Sequence, residues 1–299
     1  MKYSNMGKAL RHLCLVQAFL VSALFLNSGP APAAATAAGG GVETMKQAED
    51  NSLRITIIYD NYAFDQRMET EWGFAALIEY GGEKVLFDTG GDGRRLLGNA
   101  ERLGIDLSHI RHVVLSHIHF DHTGGLEGFL SQVAEGVRPR VYTLPSFPTD
   151  FGSRVGSRAE IVEVKPFQLV AGAIFTTGEI IGVVNEQVLV ITTDRGLVVV
   201  TGCAHPGIVE IVEKVKEHFG EDIHLVIGGF HLRGKPEAEL RSIVADFRRL
   251  GVRKVSPTHC TGDEAISMFM EEYGEDYVRG GAGRIIIVEP HHEIVPGLK

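Results

Sequence analysis

The chain has 299 residues, 44% of them hydrophobic and 22% charged, which excludes a disordered or fibrous protein and allows a sizeable core. Its formal charge is −9 and it has no basic run. Nucleic acid is therefore disfavoured as a partner, because grip on a phosphate backbone depends on clustered Lys and Arg.

Lys2, Lys8 and Arg11 precede an apolar run from Leu13 to Leu26 and then Ala- and Pro-rich sequence, the order of a secretory signal peptide. The run is shorter than the roughly 20 residues that span a bilayer as a helix. Ala31-Pro32-Ala33 and Ala35-Thr36-Ala37 suit a signal peptidase. Residues 1–37 are expected to direct export, to the periplasm or beyond, and to be removed, leaving no stable membrane insertion; an uncleaved anchor is the alternative. Cys14 lacks the small residues that precede a lipidated cysteine. Removal deletes three positive charges and no negative ones, so the formal charge moves from −9 to −12. Cys203 and Cys260 then remain, able to pair but too few for a disulfide framework.

Residues 38–50, rich in Ala and Gly, read as a disordered lead-in to one domain over 51–299. Arg54 to Tyr59, Gly73 to Tyr80 and Lys84 to Phe87 are predicted strands, the last two joined by a tight turn at Gly81-Gly82. Arg94 to Leu103 is a predicted helix, with Leu96, Leu97, Ala100 and Leu103 on one side. His112 to Leu115 is a short apolar strand, and a helix is expected from Leu126 to Ala134. Gln187 to Thr192 pairs through Asp194-Arg195-Gly196 with Leu197 to Thr201. Helical periodicity then marks Ile208 to Phe219 and Leu240 to Leu250. Hairpins mixed with crossovers, and helices spread over both halves, predict an α/β domain of two face-to-face sheets covered outside by helices.

Ser116-His117-Ile118-His119-Phe120-Asp121-His122 follows the apolar strand and places four metal-ligating side chains within six residues. Residues two apart in an extended segment point the same way, so His117 and His119 can grip one ion, while a turn at Phe120 redirects Asp121 and His122. Imidazole and carboxylate at this density suit zinc, and also iron or manganese. The strict spacing and the Thr123-Gly124-Gly125 turn argue against a loop that is His-rich by chance.

The segment resembles the His-x-His-x-Asp-His signature of the metallo-β-lactamase superfamily, whose fold is a four-layer αββα sandwich with two divalent metal ions at one edge. Leu86-Phe87-Asp88-Thr89-Gly90 resembles its early motif, in which the Asp supports the metal loop. Val200-Thr201-Gly202-Cys203-Ala204-His205 ends a strand where later ligands are expected, and Pro257-Thr258-His259-Cys260 resembles the last ligand motif. The resemblance implies one ion held by His117, His119 and His205, and another by Asp121, His122 and His259. Cys203 stands where the family carries a bridging Asp; as a thiolate ligand, a supporting group or a structural thiol it remains open. Glu179, in Thr176-Thr177-Gly178-Glu179, is the alternative to His205.

Gly228-Gly229-Phe230-His231-Leu232, Tyr59-Asp60-Asn61 and Glu71-Trp72-Gly73 resemble the branch of dihydropterin ribofuranosylaminobenzene phosphate synthases, although Trp72 stands where His is expected. That branch works on a cytoplasmic pterin pathway, which an exported chain does not fit. His231 would reach the same sheet edge as His205 and His259, as a proton donor, substrate contact or outer ligand. Pro206 and Gly207 would open a helix facing the metals and able to receive an anionic group, or serve only as an ordinary helix start.

Two cations sharing a water bring its pKa toward neutrality, so a metal-bound hydroxide would attack a small ester, lactone, phosphoester or related anionic substrate. Asp121 would hold that water and His231 protonate the leaving group. No Gly-x-Ser-x-Gly elbow or nucleotide-type phosphate loop offers a rival chemistry. A periplasmic β-lactamase and a non-hydrolytic metal-binding or redox protein are the alternatives.

Overall fold

The structure is a computed structural model that describes residues 52–291. The expected export segment and the whole of the lead-in lie outside the described residues. Among those residues no helix is long and apolar enough to cross a membrane.

Strands β1 (Leu53–Tyr59), β2 (Ala75–Tyr80) and β3 (Glu83–Phe87) form an antiparallel meander. Gly81 and Gly82 both adopt positive φ, which the tight β2–β3 hairpin demands. Strands β4 (His112–Val114), β5 (Arg140–Thr143) and β6 (Glu160–Glu163) continue the sheet in parallel. An edge strand not expected from sequence, β13 (Ile285–Val288), closes the other side by pairing antiparallel with β1.

The second sheet runs β7 (Gln168–Ala171), β8 (Ile174–Thr176), β9 (Leu189–Thr193) and β10 (Gly196–Thr201) antiparallel, then β11 (Ile223–Gly229) and β12 (Lys254–Thr258) parallel to β10. The β9–β10 turn is shorter than expected: Thr193 pairs with Gly196, leaving only Asp194 and Arg195 in the loop.

Side-chain alternation along the second sheet separates two cores. Leu189, Ile191, Val198, Val200, Leu225 and Ile227 pack with the first sheet. Val190, Leu197, Val199 and Val226 pack under α5 (Ile208–Phe219), α6 (Glu237–Arg249) and α7 (Asp263–Tyr273). On the outside of the first sheet, α1 (Gly93–Arg102) and α3 (Leu126–Gln132) bury Leu96, Ala100, Phe129 and Leu130, and a short α4 (Phe151–Val155) lies between β5 and β6 in the chain. Asp92 caps α1 by accepting from the backbone N–H of Arg94 and Arg95. The result is the expected four-layer αββα sandwich. Helix α5 starts one residue beyond Gly207, so Pro206 precedes the helix rather than opening it.

His224 enters β11 at the end away from the histidine cluster. It is nearly buried, its Nδ1 has no hydrogen-bond partner, and burial, then Lys254, Arg253 and Arg195, lower its pKa from 6.5 to about 4. The unfolded chain binds the proton first, so the stability contributed by neutral His224 is present above pH 6.5 and is lost as pH falls through about 4. His224→Gln should remove roughly 2 kcal/mol of the native protein's stability loss between pH 7 and pH 4. Urea titrations of both proteins at the two pH values would refute this if the differences were equal.

Candidate metal centre

Parallel pairing brings the C-terminal ends of β10, β11 and β12 to one edge, and that of β3 beside β4. The segments leaving these ends carry all the sequence-predicted ligands. Gly202, just past β10, faces Ser116: a Cβ there would collide with Ser116 Oγ and come 3.0 Å from Asp88 Oδ2. Only glycine lets the two sheets approach so closely at this edge.

His117 and His119 do point together, with His117 Nε2 3.1 Å from His119 Nδ1. The turn expected at Phe120 is a single helical turn, α2 (Phe120–Thr123), which carries Asp121 and His122 into a second group and leaves Phe120 exposed. His205 completes the first group, its ring centroid 4.7 Å from that of His117 and 4.9 Å from that of His119. The second group is Asp121, His122, Cys203 and His259. Asp121 Oδ2 lies 3.3 Å from His122 Nε2 and 3.4 Å from His259 Nε2, and Cys203 Sγ lies 3.3 and 3.4 Å from the same two nitrogens. Cys203 also groups with His205 and His231, so it sits between the two sets. Glu179 belongs to neither: its carboxylate accepts the Ser146 backbone N–H at 3.1 Å and lines a separate cleft with Phe167 and His218. His205, and not Glu179, is therefore the side chain that lies beside His117 and His119.

The donor set fits divalent cations. Three histidines have Nδ1 held by a protein group, leaving Nε2 aimed into the cluster: His117 on Ser116 Oγ (2.9 Å), His122 on Asp88 Oδ2 (2.7 Å) and His259 on Asn61 Oδ1 (2.8 Å). Metal-ligating histidines are oriented in this way. His205 Nε2 is buried with no partner at all, a costly state for a ring nitrogen unless a cation or proton meets it. A cysteine sulfur among the candidate donors suits zinc and other soft ions better than magnesium or calcium.

Electrostatics point the same way. Burial, reinforced by the neighbouring rings, holds His117 neutral and lowers His205 to about 3, so both offer free lone pairs. Burial also opposes charge on His122, but Asp88 and Asp121 outweigh it and raise its pKa to about 10. His122 and His259 override burial to keep Asp121 ionised. Carboxylates that hold a proton on His122 would equally favour a cation at its Nε2.

Two supports carried no sequence signal. Glu186, fully buried between β8 and β9, accepts the backbone N–H of Cys203 (2.8 Å), Ala204 (2.8 Å) and His205 (2.9 Å). A lone acid next to Gln187 reads in sequence as a solvated loop. The backbone strain is equally invisible: Asp88, Ala204, His231 and His259 all have φ between 52° and 62°. Phe167 is the only other non-glycine with positive φ among the described residues. Such conformations cost ~1 kcal/mol or more each and gather where geometry matters more than stability.

Cys203 and Cys260 are both free and buried, with Cys260 Sγ 3.6 Å from the Cys203 carbonyl oxygen. His231 is exposed, its ring centroid 4.2 Å from that of His205, beside a cavity of about 320 Å³ lined by Val183, Ile208, Phe230 and Leu232. Trp72 stacks obliquely on His259, with centroids 4.9 Å apart. Just before α5, the Gly207 N–H is donated to the Ala204 carbonyl oxygen at 2.9 Å.

A family model described as the metallo-beta-lactamase superfamily matches residues 73–263. The chain is 33% identical over 286 residues to a 7,8-dihydropterin-6-methyl-4-(beta-D-ribofuranosyl)-aminobenzene-5'-phosphate synthase of Methanocaldococcus jannaschii, covering 79% of this chain and 97% of that protein. An uncharacterized protein of the same organism is 28% identical over 267 residues, covering 78% of this chain and 99% of that one. Among solved structures, Tm1679, named as a metal-dependent hydrolase of the beta-lactamase superfamily, matches with a TM-score of 0.67 and 31% identity over 79% of this chain and 99% of that one. On the extent of these matches, this chain is an enzyme of the metallo-β-lactamase superfamily.

Proposed function

We propose that this chain is a hydrolase dependent on two divalent metal ions, zinc in the first instance, acting on small ester, lactone or phosphoester substrates. The observation that carries this reading is the pair of ligand groups meeting at Cys203, with three histidines held by Nδ1 so that Nε2 faces inward. When bound, the ions supply Lewis acidity and make hydroxide available from water near neutral pH. The site residues divide the remaining work. His117, His119 and His205 hold one ion, and Asp121, His122, Cys203 and His259 the other. Asp121 orients the attacking water. His231, exposed at the rim next to His205, delivers a proton to the leaving oxygen.

Elemental analysis of the purified protein should return two equivalents of divalent metal per chain, together with turnover of an ester and phosphoester panel. In that panel, His231→Gln should lower kcat roughly 100-fold for alkyl leaving groups. It should change 4-nitrophenyl substrates little, because 4-nitrophenolate leaves unprotonated. Equal losses on both would remove His231 from the mechanism. Iron with a redox-active spectrum and no turnover would replace the hydrolase reading with a redox one, and rapid nitrocefin turnover would make the chain a β-lactamase.

A further inference from the structure

We propose that Trp72 and Arg233 form a clamp at the mouth of the metal centre that selects substrates carrying an aryl ring beside an oxyanion. The proposal rests on the hydrolase reading and gives its substrate a chemical class. Arg233 lies two residues beyond His231, on the segment leaving β11. Its stem is seated on the turn that follows His259: a Cβ on Gly262 would meet Arg233 Cα at 2.9 Å and Cβ at 3.0 Å. Its guanidinium carbon stands 5.6 Å from the centroid of the Trp72 ring, inside the range of a cation–π contact. Trp72 in turn touches His259. His259, Trp72 and Arg233 thus form a continuous path from the ligand cluster to solvent.

Both side chains are left open. Trp72 is 42% exposed, and Arg233 has no carboxylate within ion-pair distance among the described residues. Arg54, Arg95, Arg102, Arg241, Arg248 and Arg249 all have one, whereas Arg111, Arg138, Arg195, Arg253, Arg279 and Arg284, like Arg233, have none among the described residues. The acid nearest in sequence to the ligand turn, Asp263, accepts the Tyr62 hydroxyl at 2.7 Å instead. What sets Arg233 apart from the other arginines without an ion pair is that the ring it faces, Trp72, itself lies against His259. A guanidinium held against an aromatic face keeps its in-plane N–H groups free to take an oxyanion by two parallel bonds. The exposed part of the indole offers a surface for an aryl ring carried by the same molecule.

Trp72 is the only tryptophan in the chain, so its emission reports occupancy directly. The metal-loaded protein is titrated with phenylphosphonate, benzoate, methylphosphonate and benzyl alcohol. Phenylphosphonate should give a saturable change, methylphosphonate should bind at least tenfold more weakly for want of a ring, and benzyl alcohol should not saturate. Benzoate separates a general oxyanion site from one that needs a phosphonate or phosphate. Arg233→Met should weaken phenylphosphonate roughly tenfold or more, and Arg233→Lys should fall between. For Trp72→Ala, followed by calorimetry, the loss should be confined to ligands with a ring. Phenylphosphonate binding as tightly to Arg233→Met as to the native protein, or saturation by benzyl alcohol, would overturn the clamp even if the enzyme hydrolyses esters. Arg233-dependent binding without turnover on the panel would uphold the clamp and sink the hydrolase reading.

Discussion

His117→Ala should abolish metal-dependent turnover, with kcat/KM falling on the order of 1,000-fold or more and metal content dropping with it. The imidazole is fully buried and lies at the start of a relay: its Nδ1 meets Ser116 Oγ, whose hydroxyl donates to Asp88 Oδ2, the same oxygen that meets His122 Nδ1 at 2.7 Å. Removing it takes one ligand from the first group and loosens the orientation of a ligand in the second. Metal analysis, panel kinetics and circular dichroism on the same preparation separate this from unfolding. Turnover that persists after the metal is lost would show that the cluster is not the reacting centre.

Glu186→Ala should cost about 3–5 kcal/mol of stability. Three backbone N–H groups at Cys203, Ala204 and His205 would lose their only described acceptor, in a place closed to water. Those residues form the segment that carries Cys203 and His205 into the cluster, so metal affinity should fall as well. Glu186→Gln tests the cause. Burial raises the Glu186 pKa, so its charge is itself expensive, and a neutral amide relieves that cost. The amide keeps Oε1 for Cys203 and Ala204 but turns a donor toward the His205 N–H, and its loss should be about half that of Ala or less. Urea unfolding of the metal-free proteins decides it; a change below about 1 kcal/mol for the alanine variant would remove Glu186 as the anchor of this segment.

Much of the ligand set was legible in sequence because the spacing itself encodes geometry. Two histidines one residue apart after an apolar strand share a direction, and the structure keeps that relation at 3.1 Å. The strands and the amphipathic helices α5 and α6 were legible for a similar reason, since each presents one face to a core. Elements set by long-range pairing were not. β13 is a short apolar segment that acquires its meaning only by pairing with β1 more than two hundred residues earlier. The β9–β10 loop is shorter than expected because register, not local composition, sets its length.

The sequence by itself determined the layered α/β fold, the family and the four candidate donors from His117 to His122, because periodicity and a tight ligand motif are local properties. Only the tertiary structure brought His205, and not Glu179, beside His117 and His119, set Cys203 between the two candidate ligand groups, and revealed Glu186 as the anchor beneath them. It also put Arg233 within reach of Trp72. The physical reason is common to all four: each depends on which strand ends the sheet pairing brings to one edge, and on buried polar groups finding partners across it, and no window of sequence contains that information.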